Sequence, residues 1–213
     1  MTISLSDAGK RFNRDWIFRH FNYTFESGQS YAITGPNGSG KSTLLQVLSG
    51  GMYINEGILD FRAGSSGSGE NNSSLISSEN IYQQVSICAP YLEVVEEMTA
   101  TEFLDFHQAF KPFLPGITLA SIIATVGLEK ALNKQIRFYS SGMKQRIKLA
   151  QCIFSDTEIV LLDEPCTNLD SSGIELYNQL INEYCKKRIV IVSSNDRQEY
   201  EFCKEKINIM NWK

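Results

Sequence analysis

The chain has 213 residues, 42% of them hydrophobic and 21% charged, which is ordinary globular composition and enough length for one core or one domain carrying an insert. Its formal net charge of −4 argues against a broad basic footprint, so no nucleic-acid partner is expected. Five cysteines without a CxxC pair (Cys88, Cys152, Cys166, Cys185 and Cys203) predict free thiols in a reducing compartment. With no apolar run of about 18 residues and no signal-like N-terminus, the expectation is a cytoplasmic chain whose membrane role would come through a partner.

In chain order, YAIT (31–34) reads as a short buried strand and STLLQVLSG (42–50) as a helix ended by Gly50. Between them GPNGSGKS (35–42) fits G-x-x-x-x-G-K-[ST]. Phosphate binding explains that order of residues. Several backbone N–H groups must converge on one anion, so the chain turns tightly where no Cβ intrudes, at Gly35, Gly38 and Gly40. The helix beginning near Lys41 adds its positive end, Lys41 reaches the β- and γ-phosphates, and the Ser42 hydroxyl can hold Mg²⁺. A chance match in a chain this long is roughly a one-in-a-hundred event. The second glycine stretch, GSSGSG (64–69), lacks the following Lys-Ser and receives no ligand.

GILDF (57–61) predicts a strand, residues 62–80 a mobile polar loop, and VSICA (85–89) another strand. Residues 91–136 read as mostly helical. TATE (99–102) is a capping box, Phe103, Phe106 and Phe110 repeat on one apolar face, and ITLASIIATVGL predicts a second helix. SGMKQRIKLAQCIF (141–154) is a third, with Met143, Ile147, Ala150 and Phe154 along one side. EIVLLD (158–163) is a wholly apolar strand of the kind found in covered parallel sheets. It ends in two acids: Asp163 suits Mg²⁺, directly or through water, and Glu164 suits polarising an attacking water. SGIELYNQLINEYC predicts a helix, RIVIVSS a strand and KINIMNW a last strand. Alternating strands and helices define an α/β class. His20 and His107 stand alone, Cys166 reads as packing, and Glu93, Glu96 and Glu97 read as a solvated face.

With both phosphate loop and acidic strand end in place, the chain resembles the ATP-binding cassette (ABC) ATPases, specifically the nucleotide-binding subunit of an ABC transporter, over nearly its whole length. GPNGSGKST resembles the Walker A motif of that family and IVLLDEP its Walker B with the catalytic glutamate. YSSGMKQR (139–146) resembles the family signature and NLD (168–170) its D-loop. The resemblance implies a P-loop NTPase fold over 1–213: a mixed or parallel core from 1–90 and 141–213, an N-terminal antiparallel β portion, and a helical subdomain near 91–140. It implies ATP and Mg²⁺ as ligands, held by Gly35, Pro36, Asn37, Gly38, Ser39, Gly40, Lys41, Ser42 and Thr43, with metal contacts from Ser42 and Asp163 and an adenine-stacking role for Phe12. It also implies that Ser140 and Gly142 meet the nucleotide of a second cassette, with Asp170 in the D-loop.

Two positions depart from the family pattern. Tyr91 stands where the family has a glutamine that touches the metal or the attacking water. Asn195 stands at the switch position usually held by histidine, and asparagine can donate a hydrogen bond but cannot carry a charge. Lys41, Ser42, Asp163 and Glu164 remain. The expectation is therefore an ATPase, slow or partner-dependent, that works as an ATP-driven homodimer or heterodimer and drives a separate transmembrane subunit from the inner face of the cell membrane. A binding-only cassette of a heteromeric transporter and a soluble ABC ATPase are the alternatives, and a small-molecule kinase leaves the signature unexplained.

Overall fold

The computed structural model describes residues 1–64, 74–77 and 79–213. The first sheet is antiparallel, with strand order β2-β1-β4-β5. It consists of β1 (Thr2–Phe12), β2 (Asp15–Glu26), β4 (Glu56–Arg62) and β5 (Leu75–Ile76). The second has strand order β6-β7-β8-β3-β9 and is parallel throughout. Its strands are β3 (Ser30–Thr34), β6 (Val85–Cys88), β7 (Ile159–Asp163), β8 (Ile189–Ser193) and β9 (Glu205–Asn208). The helices are α1 (Lys41–Leu48), α2 (Ala100–Gln108), α3 (Leu119–Thr125), α4 (Ser141–Phe154), α5 (Ser171–Tyr184) and α6 (Arg197–Tyr200).

The parallel sheet has a core on each face, which is why β7 and β8 are apolar at successive positions rather than alternating. Ile159 and Leu161 of β7 point into a core shared with α1 and the antiparallel sheet, where Phe18, Phe21, Phe25 and Tyr31 pack. Val160 and Leu162 point to the other side, against α2, α3, α4 and α5 through Leu104, Ile123, Ile153 and Leu180. The two cores leave the C-terminal ends of β3, β7 and β8 together at one edge, where open α/β sheets carry their ligands.

The fold corrects several expectations. The segment 91–136 is less helical than expected. Only α2 and α3 are α-helical there, joined by turns and short 3₁₀ pieces. The Thr99–Glu102 capping box is present, but the three phenylalanines do not share a buried face. Ala100, Phe103 and Leu104 form the inner stripe, while Phe106 and Phe110 are exposed and meet edge to face, ring centroids 5.1 Å apart. The stretch 62–80 is not all loop: Leu75 and Ile76 pair with Arg62 and Phe61. The remainder of that expectation, and most of GSSGSG, lies outside the described residues. The last strand stops at Asn208, whose side chain accepts from the Met210 amide at 3.0 Å and turns the chain into a 3₁₀ turn, Ile209–Trp212. All five cysteines are free and buried.

Candidate nucleotide site

The loop between β3 and α1 is shaped by what lies behind it. Gly40, at φ 98°, begins α1 in a left-handed conformation, and a Cβ there would stand 2.2 Å from Ile17 Cγ2. At Gly35 a Cβ would stand 2.9 Å from both Ser39 Oγ and Ile209 Cγ2. Glycine is therefore required at both positions by space as well as by backbone angle. The contact of Ile17 with Gly40 also sets the start of β2 beside the loop. This brings the hairpin that pairs Phe12 with Asp15 to the same edge, and Phe12 is 45% exposed there with Lys10 Nζ 5.3 Å from its ring centre.

Lys41 is buried at 6% exposure, and its ammonium donates to the carbonyls of Gly35 at 2.8 Å and Pro36 at 3.4 Å. The Ser39 hydroxyl is buried without a hydrogen-bond partner among the described residues. No side chain caps α1. A buried cation, an orphaned hydroxyl and an uncapped helix N-terminus all fit a polyphosphate seated on the loop. Ser42, in the first turn of α1, is exposed.

Asp163 ends β7 at 3% exposure, with its Cα opposite that of Ser193 on β8. The Ser193 hydroxyl is the second buried hydroxyl without a partner among the described residues. Glu164 follows at φ 45°, an uncommon conformation for glutamate, held by its amide donating to the Ser193 carbonyl at 2.9 Å. Its side chain is exposed at the edge, free to meet a water. A hydroxyl at Ser42 and a carboxylate at Asp163 are hard oxygen donors of the kind Mg²⁺ takes.

Both departing positions reach the site. Asn195 Nδ2 donates to Asn37 Oδ1 at 2.9 Å, tying the end of β8 to the phosphate loop. Burial raises the Tyr91 hydroxyl above its usual range, against a hydrogen bond with Gln46, and the Asp163 carboxylate lies close enough to push it the same way as burial. Gln46 escaped the sequence reading because it looks like any polar residue on an amphipathic helix.

Ser140, Gly142 and Asp170 lie elsewhere. Ser140 caps α4, its hydroxyl accepting from the Met143 amide at 3.3 Å. Asp170 caps α5, accepting from Gly173 at 2.8 Å, and these backbone and Ser172 hydrogen bonds lower its carboxyl below the usual range. With Arg146 and Asn168 they line an open depression of about 290 Å³ in which no phosphate-loop residue takes part. Cys166 is packing: burial, then the neighbouring Glu199 and Asp196, push its thiol up to about 12. His107 is half-buried between Ser155 and Gln151, and burial with Lys111 lowers it to about 4. Glu96 pairs with Lys144 of its own chain.

A parallel sheet with a glycine-rich loop and Lys-Ser after one strand, and an acid pair after a neighbour, defines a P-loop nucleoside-triphosphate-binding cassette. Residues 18–167 match the ABC transporter family, and the chain belongs to it as a nucleotide-binding domain. Among curated relatives, ABC transporter I family member 1 of Arabidopsis thaliana is 32% identical over 86% of this chain and 77% of its own length. The ABC transporter ATP-binding protein YhcH of Bacillus subtilis is 27% identical over 98% of this chain, which spans 66% of that relative. Among solved structures, the dimeric bacterial ABC transporter cassette MJ0796 superposes with a TM-score of 0.77 at 20% identity, covering 97% of this chain and 94% of its own.

Proposed function

We propose that the chain hydrolyses ATP, as one of two cassettes that close on nucleotide and drive a separate transmembrane subunit from the cytoplasmic side of the membrane. The observation that carries this reading is the buried Lys41 beneath an uncapped α1, with Asp163 and Glu164 at the neighbouring strand end. Residues 35–43 bind the phosphates through backbone N–H groups and the Lys41 ammonium, which leaves its loop carbonyls to do so. Phe12 stacks on the adenine. Ser42 and Asp163 would hold Mg²⁺, which would supply neutralisation of phosphate charge there. Glu164 orients the attacking water and accepts its proton. Asn195 donates toward the γ-phosphate in place of Asn37, and the Tyr91 hydroxyl takes the place of a glutamine near Asp163.

The Ser140 and Gly142 end of α4, with Asp170, faces the nucleotide of a second cassette. This rests on its separation from the chain's own phosphate loop and on the dimer seen for MJ0796. Among the described residues no helix is long and apolar enough to cross a membrane, and in this reading a transmembrane partner supplies the pathway. The test is the Mg-dependent ATPase rate of the chain beside that of Glu164→Gln. A rate lost in the variant supports turnover at this site. Equal background rates would favour a binding-only cassette of a heteromeric transporter, the second reading, which Tyr91 and Asn195 motivate. Recovery of a polytopic membrane protein in near-equal amount with the tagged chain from detergent-solubilised membranes tests the partner.

A further inference from the structure

Glu164 sits in a turn the backbone would not adopt unaided. Its own φ is 45° and that of Asn168 is 66°, both in the left-handed region. Such residues persist only where their surroundings over-determine them. The surroundings here converge on one peptide group, Pro165–Cys166, one residue beyond Glu164. The Pro165 carbonyl accepts from Gln145 Nε2 at 2.6 Å. The amide on the other side of the same peptide plane, that of Cys166, donates to Glu199 Oε1 at 2.7 Å. Gln145 and Glu199 are both buried. Burying an amide and a carboxyl is unfavourable unless each is hydrogen-bonded, and leucine would fill either space without that penalty. Their polar identity is explained by the peptide they hold.

The two grips come from different places. Gln145 lies on α4, whose N-terminus carries Ser140 and Gly142. Glu199 lies on α6, just after Asn195, and its own carbonyl accepts from the Tyr177 hydroxyl of α5 at 2.8 Å. The turn carrying the water-activating carboxylate is thus fixed from the helix that presents the signature residues and from the segment that presents the switch position.

We propose that Gln145 and Glu199 are positioning residues for Glu164, clamping the Pro165–Cys166 peptide plane so that the Glu164 carboxylate is held where it meets the attacking water. The proposal rests on the reading of Glu164 as the base. Both side chains are buried and spent on this peptide rather than on the phosphate loop, so their loss should act on turnover and leave binding alone.

The experiment uses the full chain and compares Gln145→Leu, Glu199→Leu, their double variant, Glu199→Gln and Glu164→Gln. Each leucine variant is expected to lose about tenfold or more in kcat while KM and the Kd for ATP stay within about twofold. Glu199→Gln, which keeps a carbonyl acceptor, should stay within about threefold of wild type. The double variant should lose little beyond the worse single, because both act on one peptide. Amide hydrogen exchange at Cys166 should accelerate in Glu199→Leu and stay slow in Glu199→Gln. Unchanged kcat in both leucine variants, a loss of ATP affinity as large as the loss of kcat, or additive losses would overturn the proposal. If a leucine variant does not fold, Glu199→Asp, which draws the carboxylate back by one methylene, gives the same kcat and exchange readouts. Equal rates in wild type and Glu164→Gln would remove the reading of Glu164 and the positioning role with it, while exchange at Cys166 would still decide whether the peptide is clamped.

Discussion

The phosphate loop and the depression beside Ser140 are both built from helix N-termini and differ in how those termini are satisfied. α1 begins at Gly40 with no side-chain cap, and the Ser39 hydroxyl beside it has no partner among the described residues. α4 and α5 begin at Ser140 and Asp170, whose side chains already accept from backbone amides inside their own helices. The donors of α1 are left for an anion, since a helix N-terminus otherwise recruits its own cap. At Ser140 the Met143 amide is already in use. On the proposed dimer, a nucleotide of a second cassette would have to share or displace the Ser140 cap, which predicts weaker engagement there that depends on closure. The proposed function therefore predicts that the α1 side binds nucleotide alone and the Ser140 side only within a dimer.

The largest effect is expected on the prepared side. Lys41→Ala removes the only charged side chain of the loop and should cost ~10²-fold or more in kcat/KM for ATP. Isothermal titration with Mg-ATP and steady-state turnover check this. Near-normal ATP affinity in Lys41→Ala would break the contrast, since the loop would then bind no better than a self-capped helix end.

Next in size is the far end of α4. Arg188 is buried, and its guanidinium donates to the carbonyls of Ile153 at 2.6 Å, Thr157 at 2.5 Å and Ser155, and to Thr157 Oγ1 at 2.6 Å. It gathers the carbonyls at the C-terminal end of α4, opposite to Ser140. Arg188→Leu leaves these acceptors unmet and should cost about 3 kcal/mol of stability. Denaturant midpoints would report it, with ATP affinity of the folded fraction unchanged. A change in ATP affinity would show that the α4 end and the phosphate loop are not separable.

Ser140→Ala should cost about 1 kcal/mol of stability through loss of the cap. Its informative consequence is for turnover. ATP affinity of the monomer should be unchanged, while ATPase activity that rises with protein concentration should fall. Lost monomer affinity would place Ser140 at its own chain's nucleotide and overturn the assignment to a second cassette.

What the sequence made legible follows from the range of the interactions. The order of glycines, Lys41 and Ser42 is local and read correctly as strand, turn and helix, and α4 ran over the residues its pattern predicted. The Phe106 and Phe110 face failed because the inner stripe of α2 continues through Leu104 rather than outward to those rings. β5 was missed because two residues in a polar stretch carry no periodicity, and their strand character comes from pairing with β4. The contacts of Gln46, Gln145 and Glu199 were invisible for a related reason, although Gln145 lies within the signature stretch 139–146. Each is one polar residue among others on its helix, and its significance lies in a partner distant in the chain, as with Gln145 and Pro165 or Glu199 and Cys166.

The smallest effect is expected at Asn195, where the two readings of the chain diverge most. Its amide donates to Asn37 of the phosphate loop, and both side chains are exposed. An exposed neutral hydrogen bond contributes little to stability, so Asn195→Ala should leave the denaturation midpoint within about 0.5 kcal/mol of wild type. For turnover the question is which acceptor the Asn195 amide prefers when nucleotide is bound. If it transfers from Asn37 to a γ-phosphate oxygen, Asn195→Ala should lower kcat by about fivefold. Asn37→Ala, which frees the same amide, should then leave kcat unchanged or raise it. If instead the Asn37–Asn195 bond persists through the cycle, both alanine variants should behave alike. Opposite signs for the two would mark Asn195 as a working replacement for the family histidine, and equal, small losses would mark it as a tether of the phosphate loop. Either result refines the contrast between the two sides, because Asn195 reaches the loop from β8 within the same chain, as the signature side does not.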